Sequence, residues 1–201
     1  NGMLKVPVLQ AKAWGGALDA NALADARANR IAVKAVATGV NVNALLKDVA
    51  GKDLLEGTGR VAMDVDTTGK SIGELRSHLR GTASMNLRDG AIKGINLAKS
   101  MRQAKAALSL KDDASTKAVQ TEKTDFSELS ASFQIADGVA RSNDLELKSP
   151  YLRLGGDGAV DIGKGRIDYT ARATVTGTAA GQGGAELAAL KGVTVPVRLT
   201  G

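Results

Sequence analysis

Cysteine is absent from the 201 residues. That excludes a disulfide framework, an iron–sulfur cluster and a zinc site built on thiolates. Aromatic residues amount to 2% of the chain and are confined to Trp14, Phe126, Phe133, Tyr151 and Tyr169. There is one histidine, His78. A histidine-dependent triad would have to use it, yet no G-x-S-x-G context accompanies it, so it reads as a surface residue of a basic helix. Proline is limited to Pro7, Pro150 and Pro196, expected near strand ends or edges, where proline blocks the addition of a further strand. No apolar run approaches the ~20 residues a membrane-spanning helix needs. The opening NGMLKVPVLQ reads as the middle of a domain, so a targeting segment is expected to lie outside the chain.

Glycine is abundant at 24 residues, and 43% of the chain is apolar, mostly Ala, Val, Leu and Ile. Many glycines among short alternating segments favour a turn-rich β protein over a helical bundle. The formal charge of +6 is unevenly placed: Lys70–Lys111 holds nine basic residues against Glu74 and Asp89. Such a patch suits an anionic partner, nucleic acid or a membrane surface, or simply a solvated face. The segment contains no aromatic stacking platform, which argues against nucleic acid.

Period-two alternation dominates. It aligns Val61, Met63 and Val65; Met85 and Leu87; Phe133 and Ile135; Leu145 and Leu147; Leu152 and Leu154; Val160 and Ile162; Ile167 and Tyr169; and Val193, Val195, Val197 and Leu199. This is the pattern of antiparallel strands with one apolar face. The stretch YLRLGGDGAVDIGKGRIDYTARATV is read as three successive strands, with its glycines, and both Asp-Gly pairs at Asp89 and Asp137, as turns. Helices are predicted in NVNALLKDVAG, capped by Asn41 or Asn43 and stopped by Gly51; in SIGELRSHL, with Ser71 and Glu74 at capping-box spacing; and in INLAKSMRQAKAAL, with Leu97, Met101, Ala104 and Leu108 on one stripe. Residues 110–125 read as a mobile polar loop, and Thr176–Leu187 is a second weak stretch.

The chain repeats itself. ASMNLRDGAI at Ala83 recurs 48 residues on as ASFQIADGVA, and LEGTGRVAM at Leu55 recurs 24 residues on as LRGTASMNL. A looser echo joins the first 40 residues to residues 137–177, each holding Gly-Gly and a third strand starting at Ile31 or Ile167. The expected architecture is a β-meander copied with helical insertions.

Catalytic and cofactor motifs fail in detail. Gly69-Lys70-Ser71 resembles the tail of a phosphate loop, but Asp64 stands where its first glycine is required. Asp161 and Asp168 stand where a dinucleotide fingerprint needs its third glycine. Asp64 and Asp66 share a strand face and could touch a hard cation, but two carboxylates make a weak site. No enzyme activity, cofactor or metal is expected.

The ordered set LLKDVAG, GTG with a strand, TTGKS, LRGTASMNLRDGAIKGINL with a basic helix, DGVARSNDLELKSPYLRLGGDGAVDIGKGRIDY and LKGVTVPVRLTG resembles the C-terminal region of the AsmA family. The likeness runs from about Val36; the first 35 residues join it through the internal echo. The resemblance implies a periplasmic module of an inner-membrane-anchored protein of Gram-negative bacteria, serving outer-membrane biogenesis and conducting phospholipid along an apolar β groove. It carries no catalytic residues, and the anchor is not in this chain.

The fold class expected is mainly β with a few helices: a curved, repetitive antiparallel sheet, groove-like, with helices packed on it or capping it. Its parts are the end of a β-meander unit (1–40), strands with helical insertions (41–109), the loop (110–125) and a C-terminal meander (126–201). Candidate lipid contacts are Val61, Met63, Val65, Met85, Leu87, Phe133, Ile135, Leu145, Leu147, Val160 and Ile162. Lys99, Arg102 and Lys105 are candidates for headgroups. Partners expected are phospholipid or another envelope lipid, or other envelope proteins if the sheet is a filled scaffold.

Overall fold

Alternating side chains bury one face of a strand only if its neighbours present the same face, and a meander with short turns does this automatically. The computed structural model, which describes residues 2–94, 123–150, 152–176, 192 and 194–200, is such a sheet. Ten strands lie in sequence order, every neighbouring pair antiparallel: β1 (Met3–Ala13), β2 (Gly16–Asp25), β3 (Arg30–Asn41), β4 (Thr58–Thr68), β5 (Arg80–Lys93), β6 (Lys123–Ala136), β7 (Val139–Lys148), β8 (Leu152–Asp161), β9 (Arg166–Val175) and β10 (Thr194–Thr200). The sheet is open, with β1 and β10 at its edges. Pro7 lies in β1 and Pro196 in β10, so both edges carry a residue with no N–H to offer a further strand.

Two helices interrupt the described meander. α1 (Val42–Ala50) joins β3 to β4; Asn41 accepts the Ala44 N–H at 3.0 Å, and Gly51 takes φ 64° to return its N–H to Leu46 and Lys47. These are the predicted cap and stop. α2 (Ile72–Ser77) joins β4 to β5. Ser71 Oγ accepts the Glu74 N–H at 3.2 Å, while the Glu74 carboxylate reaches back to the Lys70 N–H at 2.8 Å. The third predicted helix lies outside the described residues, as do residues 110–122 of the expected loop and most of Thr176–Leu187; Lys123–Asp125 are already strand.

The repeated phrase pairs with itself. Ser84 faces Ser132, Met85 faces Ala131 and Ala83 faces Phe133, so a large apolar side chain in each copy sits opposite the alanine of the other. Large against small fills the face without overpacking. The 24-residue repeat is equally physical: Gly57 and Gly81, at matching positions, share φ values of 135° and 133°. Each Asp-Gly pair then abuts a lead-in to an earlier strand. A Cβ on Gly90 would come 2.1 Å from the Glu56 carbonyl oxygen, and one on Gly138 would come 2.5 Å from that of Arg76.

Three turn expectations need correction. Asp89 does take a left-handed φ of 50°, but β5 pairs with β6 on both sides of it, through Arg88 and Gly90. The residue kinks a strand instead of ending it. Residues 152–175 form two strands, not three, because Gly155, Gly156 and Gly158 lie within β8. Gly158 sits opposite Tyr169, and a Cβ there would meet the ring at 2.6 Å; the glycines make room for an aromatic ring. The terminal echo therefore differs in detail: Gly15-Gly16 serves the β1–β2 hairpin, whereas Gly155-Gly156 is mid-strand.

Candidate functional site

The registers sort the sheet into two chemically distinct faces. One carries ion pairs between neighbouring strands: Arg30–Asp66 at 3.5 Å, Lys34–Asp64 at 3.0 Å, Lys148–Glu128 at 3.1 Å and Arg198–Asp168 at 3.1 Å. Exposed pairs of this kind add little stability, but they hold this face in water. Asp64 and Asp66 are thus paired with Lys34 and Arg30 of β3. Among the described residues no group of three or more His, Cys, Asp or Glu could hold a metal. His78 is exposed, its Nδ1 2.9 Å from the Thr68 carbonyl oxygen.

The other face is apolar from β1 to β9, and the sequence candidates gather on it. Val61, Met63 and Val65 stand beside Met85, Ala83 and Gly81, which in turn face Ala131, Phe133 and Ile135. Leu145 and Leu147 continue the face on β7, and Val160 on β8; Ile162 lies just past the end of β8.

This face is not uniform. Across β5–β9 it is packed except at Ile167, near the start of β9 and 38% exposed. Leu87, Leu129, Leu147, Leu154 and Ala173 form a row of directly paired residues, all at 4% exposure or less. Val42 of α1 belongs to the same cluster, and Leu46, Val61, Met85 and Leu145 pack against it. A second cluster at the opposite strand ends joins Val65, Ile135 and Ala140, with Phe133, Val160 and Ile162 against them. Met63, between the clusters, is 39% exposed. Toward β1 the face opens: Leu4 is 65% exposed, Leu9 45% and Ile31 39%. Between them lie Ala11, Ala20, Ala22, Ala24 and Ala35. Of the eleven sequence candidates, Val65, Leu87, Ile135 and Leu147 are buried, Met63 is exposed and the other six are partly buried. Among the described residues, the exposed large apolar side chains of this face lie on β1–β4 apart from Ile167. Leu4 and Leu9 escaped the sequence reading because Pro7 and a bulge between Val6 and Leu9 break the alternation of β1. Lys99, Arg102 and Lys105 lie outside the described residues.

Polar groups stitch the sheet where its ladder fails. The β6–β7 register shifts between Ser130 and Gln134. There Asp144 accepts the Ser132 hydroxyl, the Ser132 N–H at 2.8 Å and the Ser142 hydroxyl at 3.1 Å. The Ser132 hydroxyl is the chief cause that holds its pKa below the ordinary carboxylate range. Tyr169 is buried across the β8 glycines, and burial pushes its phenol pKa up. At the other end, Lys93 donates to Asp53 at 2.7 Å and to Glu56 at 2.8 Å, tying the segment after α1 to the end of β5. Lys93 first, then Asn43, draws the Asp53 pKa from 3.8 to about 2. A depressed carboxylate contributes stability in full above its unfolded pKa and loses it as pH falls through the folded one. Carboxyl NMR should therefore show Asp53 titrating near 2, and Lys93→Met should return the midpoint toward 3.8.

Among the described residues no helix is long and apolar enough to cross a membrane. No curated protein and no solved structure matches the chain. A family model described as the AsmA family matches residues 1–145. That span takes in residues 1–35, which the sequence resemblance reached only through an internal echo, and it ends in β7, short of the C-terminal strands that the resemblance included. Covering well over half of the sequence, the match places the chain in the AsmA family, which is associated with the cell envelope and outer-membrane biogenesis.

Proposed function

We propose that this chain is a non-enzymatic periplasmic module of an inner-membrane-anchored protein, and that it binds or conducts phospholipid by contact between acyl chains and the apolar face of β1–β4. The supporting observation is the one-sided, accessible apolar surface around Leu4, Leu9, Ile31 and Met63, set in a chain of an envelope family. An apolar patch that water must cover is costly, and acyl chains relieve that cost without needing directional bonds. The alanines between the large side chains leave a smooth surface. β1 has 11 residues and so extends ~36 Å, longer than the ~15 Å depth of one leaflet's hydrocarbon. The basic Lys70–Lys111 segment would lie near anionic headgroups.

The test is binding of an acyl-labelled phospholipid to the purified chain, with Ile31→Asp as the variant. Ile31 is exposed, so the change places a charge where an acyl chain would lie, and far-UV circular dichroism checks that the fold is kept. The expected result is a loss of affinity of at least tenfold. Unchanged binding would remove β1–β4 as the contact surface.

A further inference from the structure

We infer that the turn between β2 and β3 carries a site for the phosphodiester headgroup of a glycerophospholipid whose acyl chain lies on the adjoining apolar face; the inference rests on the acyl-contact reading above. A depression of about 530 Å³ lies at this end of the sheet. Leu4, Ala24 and Ile31 line one part of it, and Asp25, Asn29, Arg30 and Gly69 line the turn side. Leu4 and Ile31 are also exposed members of the open apolar face, so the depression is continuous with that face.

The charges around it are unevenly satisfied. Asp25 accepts the N–H groups of Arg27 at 2.9 Å and Ala28 at 3.2 Å, closing the turn. Asp66 pairs with Arg30 at 3.5 Å, and the Glu74 carboxylate accepts the Lys70 N–H at 2.8 Å. Each nearby acid thus has a donor. Arg27 and Lys70 are exposed and have no acidic partner among the described residues. Arg27 lies against Gly2 of the lining, its Cγ 3.6 Å from where a Gly2 Cβ would stand, and Lys70 directly follows Gly69. Uncommitted positive charge at the rim of an apolar floor matches a molecule with a phosphate at one end and hydrocarbon at the other.

The test compares acyl-labelled phosphatidylglycerol with diacylglycerol bearing the same chains, on the wild-type chain and on Arg27→Ala/Lys70→Ala. Both positions are exposed, and far-UV circular dichroism checks the fold. Expected is about tenfold weaker phosphatidylglycerol binding by the double variant, with diacylglycerol unchanged. Equal affinity of variant and wild type for phosphatidylglycerol would overturn the headgroup site and leave the acyl reading standing, as would an equal loss for both lipids. Failure of both lipids to bind the wild type would overturn the acyl reading itself. Displacement of phosphatidylglycerol by an equal concentration of inorganic phosphate would overturn the phospholipid assignment in favour of a free anion.

Discussion

Leu147→Ala should cost about 3–4 kcal/mol in urea unfolding, whereas Leu9→Ala should cost less than about 1 kcal/mol. Both leucines sit on the same face of one sheet, so local strand propensity does not separate them. Surroundings do. Leu147 is fully buried, paired with Leu129 on one side and Leu154 on the other. Truncation there removes buried methyl groups and leaves a void that neighbours held in a ladder cannot close. Leu9 is 45% exposed beside Ala20, so water already meets much of it. Equal costs at the two positions would mean that the face is packed throughout, which would leave no open surface for an acyl chain.

The second large effect is expected at Gly138. Its φ of 74° disfavours any side chain, and an added Cβ would stand 2.5 Å from the Arg76 carbonyl oxygen and 2.9 Å from the Ser77 Cα. Both obstacles are backbone of α2, so no rotamer change relieves them. Gly138→Ala should destabilise by about 3 kcal/mol or push α2 off the β6–β7 turn. Gly165 is the control. Its φ is 68°, but nothing lies within 4 Å of an added Cβ, so Gly165→Ala should show backbone strain alone, about 1 kcal/mol. A similar cost at both sites would show that α2 does not rest on that turn.

These two contrasts mark what can and cannot be read from residue order. Alternation in β4 to β7 was plain because Val, Met, Leu, Phe and Ile take every second place, and the face they define is the one observed. The caps of α1 and α2 were plain because Asn41, Ser71, Glu74 and Gly51 have side-chain or φ preferences that act within a few residues. The β8 glycines misled because their reason is one strand away: Gly158 accommodates the Tyr169 ring. Asp89 misled for a similar cause. Asp-Gly favours left-handed φ, and Asp89 adopts it, but whether the chain reverses there depends on β6 continuing alongside.

The site was legible as a face and illegible as a place on that face. Period-two patterning says which side chains point together; it says nothing of which are covered. Leu87 and Met63 look alike in the pattern, yet Leu87 is fully buried and Met63 is 39% exposed. Covering depends on α1, on cross-strand partners and on distance from the sheet's edge, all set by tertiary structure. The Ala-rich β2 and Pro-interrupted β1 have the weakest alternation, and they supply much of the open surface. The duplication was visible as text, but its consequence was not: the copies are neighbours whose large and small residues interlock about Ser84 and Ser132.

The most direct measurement is photo-crosslinking in the cell envelope. A benzophenone side chain placed at Leu9, on the open apolar face, should capture phospholipid, seen as a lipid-mass adduct on the chain. The same group at Arg172, on the ion-paired face beside Asp157, should capture none. Adducts at position 9 and not at 172 are the predicted result; no adduct at position 9, or equal adducts at both positions, would contradict acyl contact along the apolar face of β1–β4.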